Sequence, residues 1–172
     1  SNLFTVDESG AVAGTDALVD IEGPYTLIIP RYLNGVEAST IKETGFDCSF
    51  RYKKYQFDKL ILPNTLTSIG ENAFDSCGNL AEVEIPSSVE SINAGSFNYC
   101  TTLSKINIPE GVETIGAGAF ANCSALSEIN LPSSLTKIGE FSFSGCGFVS
   151  FTLPKQFTVV PDGMLNLCAK LT

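Results

Sequence analysis

The chain has 172 residues, 44% hydrophobic and 17% charged, which is enough apolar side chain for a core and excludes disorder for its bulk. With 19 acidic against 10 basic residues its formal charge is -9, which disfavours nucleic acid and anionic membrane as partners, and no apolar run reaches the roughly 18 residues of a membrane span. Histidine is absent, which excludes Ser-His-Asp and Cys-His nucleophile pairs, imidazole metal sites and a histidine general base.

In chain order, the stretch LFTVDESGAVAG (residues 3–14) predicts two short strands around a Glu8-Ser9-Gly10 turn. Leu27, Ile29 and Pro30 then mimic a strand and proline that recur downstream, while Ile41, Gly45 and Phe46 mimic later columns of the same pattern. Pro30 and Ile41 are 11 positions apart where the downstream equivalents are 6 apart, so five residues are inserted. A second insertion, from Ser49 to Gln56, falls in FRYKKYQF (residues 50–57), a basic and aromatic cluster. Arg51, Tyr52 and Tyr55 are therefore candidate partner-binding residues, with Lys53 and Lys54 adding charge for an anionic polymer. The same alternation also suits a plain edge strand with its lysines outward. Asp7, Glu8 and Asp16 lack the spacing of a calcium loop, and no metal or cofactor is expected anywhere. Residues 1–56 are predicted to be an N-terminal β cap with one degenerate repeat, since every repeat stack needs its open end covered.

From residue 57 a period takes over. Prolines 63, 86, 109, 132 and 154 are spaced by 23, 23, 23 and 22 residues. Cys77, Cys100, Cys123, Cys146 and Cys168 keep the same period, as do Ile69, Ile92, Ile115, Ile138 and Val160, and Phe74, Phe97, Phe120, Phe143 and Leu165. Five units follow: 57–79, 80–102, 103–125, 126–147 and 148–170, continuous with the cap as one domain. Each unit opens with a short half-buried strand stopped by its proline, which lacks an N–H for the ladder. A second apolar segment returns to the core, and the corner after its isoleucine is Gly70, Asn93, Gly116 or Gly139, residue types that accept positive φ. The small-aromatic pairs Ala73-Phe74, Ser96-Phe97, Ala119-Phe120 and Ser142-Phe143 predict a short helical or 3₁₀ turn that sends each ring into the core. A unit this short cannot cover its own apolar columns, whereas stacked coils at ~4.8 Å can. The expected fold class is an α/β solenoid of short parallel strands.

In such a stack, equivalent cysteines lie too far apart for the ~3.8 Å Cβ separation of a disulfide and do not converge on zinc. Buried thiols serving as small apolar filler are expected instead, with Cys48 outside the regular columns. On the strand faces turned away from the core, Lys59, Glu82, Lys105, Glu128 and Ser150 alternate in sign and read as a register-setting charge ladder, the alternative being a polar recognition surface for a protein partner. The parallel column Ile61, Glu84, Asn107, Asn130 and Thr152 shows no such pairing and is the candidate protein-binding face. Glu82 and Glu84 share a face as a glycosidase pair would, but a flat sheet offers no cleft to shift a pKa, and no catalytic residue is expected.

The blocks INLPSSLTKIGEFSFSGC (129–146), VEIPSSVESINAGSFNYC (83–100) and INIPEGVETIGAGAFANC (106–123) resemble the BspA-type leucine-rich repeat, known also from Treponema pallidum surface proteins. The likeness covers residues 57–172, and it implies a leucine-rich-repeat right-handed coil. Position nine after the strand is Ser88, Gly111 or Ser134, so no asparagine ladder is expected. The resemblance further implies a secreted, cell-surface location and adhesion to a protein partner, such as a host or extracellular-matrix protein. The non-enzymatic alternative is a structural spacer or assembly segment of a larger surface protein. Leu171 begins a further unit, so the chain is expected to continue or to associate end to end with a second copy.

Overall fold

The computed structural model describes residues 3–15, 18, 21–48 and 55–172. Phe4–Val6 (β1) and Ala11–Gly14 (β2) pair antiparallel, as the opening alternation predicts. Asp7 closes their turn by accepting the N–H groups of Ser9 and Ala11 at 3.0 and 3.1 Å, and Gly10 takes a φ of 83°. A Cβ on Gly10 would stand 2.4 Å from the Glu37 carbonyl oxygen, so glycine is required there on two counts.

Thr40–Ile41 (β6) lies parallel to β2 and carries the hairpin into a seven-stranded sheet. This sheet continues through Ser68–Ile69 (β8), Ser91–Ile92 (β10), Thr114–Ile115 (β12) and Lys137–Ile138 (β13), with isoleucine paired to isoleucine at every parallel step after β6. A second, four-stranded parallel sheet contains Tyr25–Ile28 (β3), Phe57–Ile61 (β7), Glu82–Glu84 (β9) and Lys105–Asn107 (β11). The five inserted residues are accommodated by a small hairpin, Tyr32–Leu33 (β4) with Val36–Glu37 (β5). It turns on Asn34 and Gly35, whose φ values of 52° and 83° match the twist of a tight hairpin.

The third side of each unit differs from the sequence reading. No α-helix occurs among the described residues, and the small-aromatic pairs lie instead in a run of overlapping turns. Within one unit Ala73, Asp75 and Cys77 donate to the carbonyls of Gly70, Asn72 and Phe74, three residues back. The intervening Asn72, Phe74 and Ser76 donate to Ala94, Ser96 and Asn98 of the next unit at 2.7–2.9 Å. N–H groups thus point alternately inward along the turn and outward to the neighbour, so a hydrogen-bonded ladder runs down this side too. Alternation of this kind needs left-handed residues, found at Asn72 and Ser76 (φ 51° and 58°) and again at Phe141 (φ 53°).

Positive φ therefore sits two and six positions beyond the corner residues to which the sequence assigned it. Gly70, Gly116 and Gly139 are glycine for a different reason, which is close approach. A Cβ on them would stand 2.4, 2.4 and 2.3 Å from backbone atoms of the preceding unit.

Between the three ladders lies one continuous core. Phe46, Phe74, Phe97, Phe120 and Phe143 are fully buried and stack ring on ring at 5.1–5.5 Å, with interplanar angles falling from 16° to 2°. Phe148 and Phe151 then meet Phe143 edge-on or tilted at 5.9 and 5.5 Å. Cys77, Cys100, Cys123, Cys146 and Cys168 form the expected file, each thiol donating to the carbonyl of the phenylalanine one unit earlier at 3.2–3.3 Å. All six cysteines are unbridged, and burial pushes the Cys100 and Cys123 thiols well above the usual cysteine range. The last unit departs from the pattern, for Val160, in the isoleucine column, is 56% exposed. No helix among the described residues is long and apolar enough to cross a membrane.

Candidate functional site

The four-stranded sheet positions the candidate face. Leu60 and Val83 point into the core, and Ile106 packs half-buried beside them. By the two-residue period of a strand, their neighbours point outward. Register places Lys59, Glu82 and Lys105 in one outward row and Ile61, Glu84 and Asn107 in the next. Strand pairing stops at β11, and residues 128–130 follow the same course without entering the ladder.

An open recess of about 480 Å³ spans this last step, lined by Glu82, Glu84, Lys105, Asn107, Glu128 and Asn130 with the backbone between them. The structure thus gathers Glu84, Asn107 and Asn130 into one hollow, with Ile61 paired beside Glu84. Thr152 is exposed but lies outside both the ladder and the recess lining. Arg51 and Tyr52 fall outside the described residues. Tyr55 corrects the sequence reading, because it is 4% exposed, packed against Phe57 and edge-on to Phe46. Its alternation with Phe57 marked a core-facing row, so its ring is not available to stack on a partner.

Charges on the face interlock more tightly than the column reading implied. Lys59 reaches Glu82 at 2.9 Å and Glu84 at 2.5 Å, while Lys105 stands 3.8 Å from Glu82. Glu84 was read as unpaired because straight-across partners were considered, yet a lysine stem readily spans a diagonal between adjacent strands. Lys105 and Glu128, members of the charge-ladder column, line the recess as well.

Glu84 and Glu82 together hold the Lys59 ammonium above the usual lysine range, and Lys59 in turn holds the Glu82 carboxyl below its ordinary 4.5. That is the wrong direction for a general acid. Although Glu82 and Glu84 do share a hollow, contrary to the flat-sheet expectation, the recess is open and both carboxylates are engaged by Lys59. Among the described residues no group of three or more Cys, Asp or Glu side chains is placed to hold a metal ion.

The depressed Glu82 pKa gives a signed pH dependence. Its stabilising contribution is present above the unfolded value of 4.5 and is lost as pH falls through the lower folded value. In urea titrations the wild type is expected to exceed Glu82→Gln in midpoint near neutral pH, with the gap closing between about pH 5 and pH 3. A gap that does not change with pH would show that the pair contributes nothing through charge.

Below the recess, Glu110 braces the corner between two units. Its carboxylate accepts the Ser133 N–H at 3.0 Å, the Ser133 hydroxyl at 3.1 Å and the Ser134 N–H at 3.2 Å, and these bonds lower its pKa. The sequence carries no periodic signal for this contact, since the equivalent position is Ser87 in the unit before and Ser133 in the unit after.

Residues 43–172 match the BspA type leucine-rich repeat region in six copies. In shape the chain is similar to a leucine-rich repeat protein of T. pallidum, with a TM-score of 0.83 at 22% identity over 98% of this chain and 76% of that one. It is also similar to a leucine-rich cell surface protein of Faecalibacterium prausnitzii, with a TM-score of 0.65 at 25% identity over 98% and 51% of the two chains. A leucine-rich repeat protein of Bacteroides ovatus gives a TM-score of 0.65 at 26% identity over 99% and 51%. The chain spans about half the length of these last two proteins. No curated protein matches it. No catalytic family is indicated.

Proposed function

The chain belongs to the BspA-type leucine-rich repeat family, and from that premise we propose that it is a protein-binding module of an exported bacterial surface protein, working through the recessed face of its four-stranded sheet. The observation that carries this reading is the recess itself, where the exposed Asn107, in register with Glu84, and the exposed Asn130 face one hollow. A right-handed solenoid whose residues 1–56 supply its cap and one degenerate repeat is the arrangement we assign to that scaffold. The surface location rests on the F. prausnitzii protein, named for the cell surface, and adhesion to a host or extracellular-matrix protein rests on the family.

Exposed amides flanked by interlocked charges suit a partner that offers polar groups to a polar rim. The test immobilises fibronectin, laminin and collagen and measures saturable binding of the wild type and of an Asn107→Arg, Asn130→Arg double variant. Both sites are exposed, so the variant is expected to fold normally. Its affinity should fall at least about tenfold, the equivalent of ~1.4 kcal/mol. Absence of saturable wild-type binding, or equal binding by both proteins, would sink the proposal.

A spacer or assembly segment is the second reading, favoured by the exposed apolar side chains Val159, Val160 and Leu167 on the last unit. It expects the double variant to behave as wild type and places head-to-tail association of copies at that edge.

A further inference from the structure

Cys48 breaks the rule that governs every other cysteine in the chain. Four of the regular cysteines follow a phenylalanine by three residues and Cys168 follows Leu165 by three, whereas Cys48 follows Phe46 by two. Its N–H donates to the Asp75 carbonyl at 2.8 Å, which places it in the column of Ser76, whose N–H makes the corresponding bond to Asn98. From that offset position the Cys48 thiol donates to the carbonyl of Phe46 at 3.4 Å. Cys77, in its regular column, donates to the same Phe46 carbonyl at 3.2 Å. Two thiols competing for one acceptor are brought together, and their sulfurs stand 2.7 Å apart. That lies inside the roughly 3.5–4.0 Å contact of unbonded heavy atoms and a fraction of an ångström beyond the ~2.05 Å of a sulfur–sulfur bond.

We propose that Cys48 and Cys77 form a reversible disulfide, an oxidation site that joins the N-terminal region to the first regular unit. Bridges are forbidden between cysteines in equivalent positions of successive units, and Cys48 is not in an equivalent position.

Access is provided on the Cys48 side. A recess of about 280 Å³, lined by Cys48, Tyr55, Ser76, Gly78 and Asn79, opens above the half-buried thiol, while Cys77 is 3% exposed. The oxidant is a small-molecule disulfide such as glutathione disulfide. The Cys48 thiolate attacks one of its sulfurs, its S–S bond breaks, and one thiolate leaves with the electron pair. The Cys77 thiolate then attacks the mixed disulfide at the Cys48 sulfur and expels the second thiolate. Two protein thiols lose two protons and two electrons, and one small disulfide becomes two thiols. Burial and the neighbouring Cys48 sulfur push the Cys77 thiol well above its ordinary range, which assigns the first attack to Cys48. The second attack is intramolecular between groups already in contact, which offsets the low thiolate population of Cys77.

The experiment incubates the full chain with glutathione disulfide, then unfolds it, alkylates the remaining thiols and maps the peptides by mass. The expected result is a fall from six alkylatable thiols to four, with one cross-linked pair joining Cys48 to Cys77. Dithiothreitol should restore all six. In Cys48→Ser, a conservative change at a half-buried site, all five remaining thiols should stay alkylatable. Six alkylatable thiols in the treated wild type, a glutathione adduct persisting on Cys48, or a bridge between any other pair would each overturn the assignment, and these readings need no variant to fold.

Discussion

Phe120→Ala is expected to remove about 3–5 kcal/mol of folding free energy, the range for emptying a buried aromatic site. Phe120 is fully buried, with Phe97 and Phe143 stacked on its two faces at 5.5 Å. Truncation therefore forfeits two aromatic contacts and leaves a void walled by rings that are themselves held by ladders. In a stack where each unit touches mainly its neighbours, such a void also weakens the coupling between the two halves. Since whole domains hold only about 5–15 kcal/mol, the variant should unfold at far lower urea or in two steps. Phe120→Leu should be markedly milder, because Leu165 already occupies this column in the last unit. A loss below about 1 kcal/mol for Phe120→Ala would mean that the ring column is not what holds the units together.

Excision of residues 103–125 is the second large-effect experiment, and its outcome depends on phase. The cut joins Thr102 to Leu126, and every column of proline, isoleucine, phenylalanine and cysteine stays in register. The shortened chain should fold cooperatively, with the same circular dichroism band shape, a lower midpoint and a length reduced by about 4.8 Å in solution scattering. Removing residues 103–113 instead leaves a fragment whose apolar columns face solvent, and this chain should not fold. The in-phase deletion also removes Lys105 and Asn107 from the recess, so it should weaken partner binding even though the fold persists. Equal stability of the two deletions would contradict the repeat as the unit of folding.

What could be read from the sequence was whatever recurs once per unit. The proline, isoleucine, phenylalanine and cysteine columns are properties of a position in the period, and the structure stacks them as the spacing implied. Positive φ falls outside the corner column because the left-handed positions are filled by Asn72, Gly95, Gly118 and Phe141 in one column and by Ser76, Tyr99, Asn122 and Gly145 in another, sets with no shared chemistry. What they share is a hydrogen-bond direction, which no residue type encodes. Tyr55 was misread for a related reason, since an alternating stretch does not say which of its two faces is inward until a neighbouring strand is in place. The candidate face was legible as a column, whereas its depth was not, because the recess arises where the ladder stops at β11. The Cys48–Cys77 contact was hidden by a shift of a single residue from the period that made everything else visible.

The run of overlapping turns has a further consequence. Along that side, N–H groups of each unit donate to carbonyls of the following one, from Phe46 to Ala73 through to Phe143 to Met164. Peptide dipoles in these files are therefore aligned, much as they are along a helix axis, with donors on this side facing the following units and acceptors the preceding ones. Two copies meeting pole to like pole would bring donor against donor, so a closed two-fold dimer through this edge is electrostatically disfavoured. An assembly through that edge is expected to be head-to-tail, closing into a ring or extending as a filament according to its rotation.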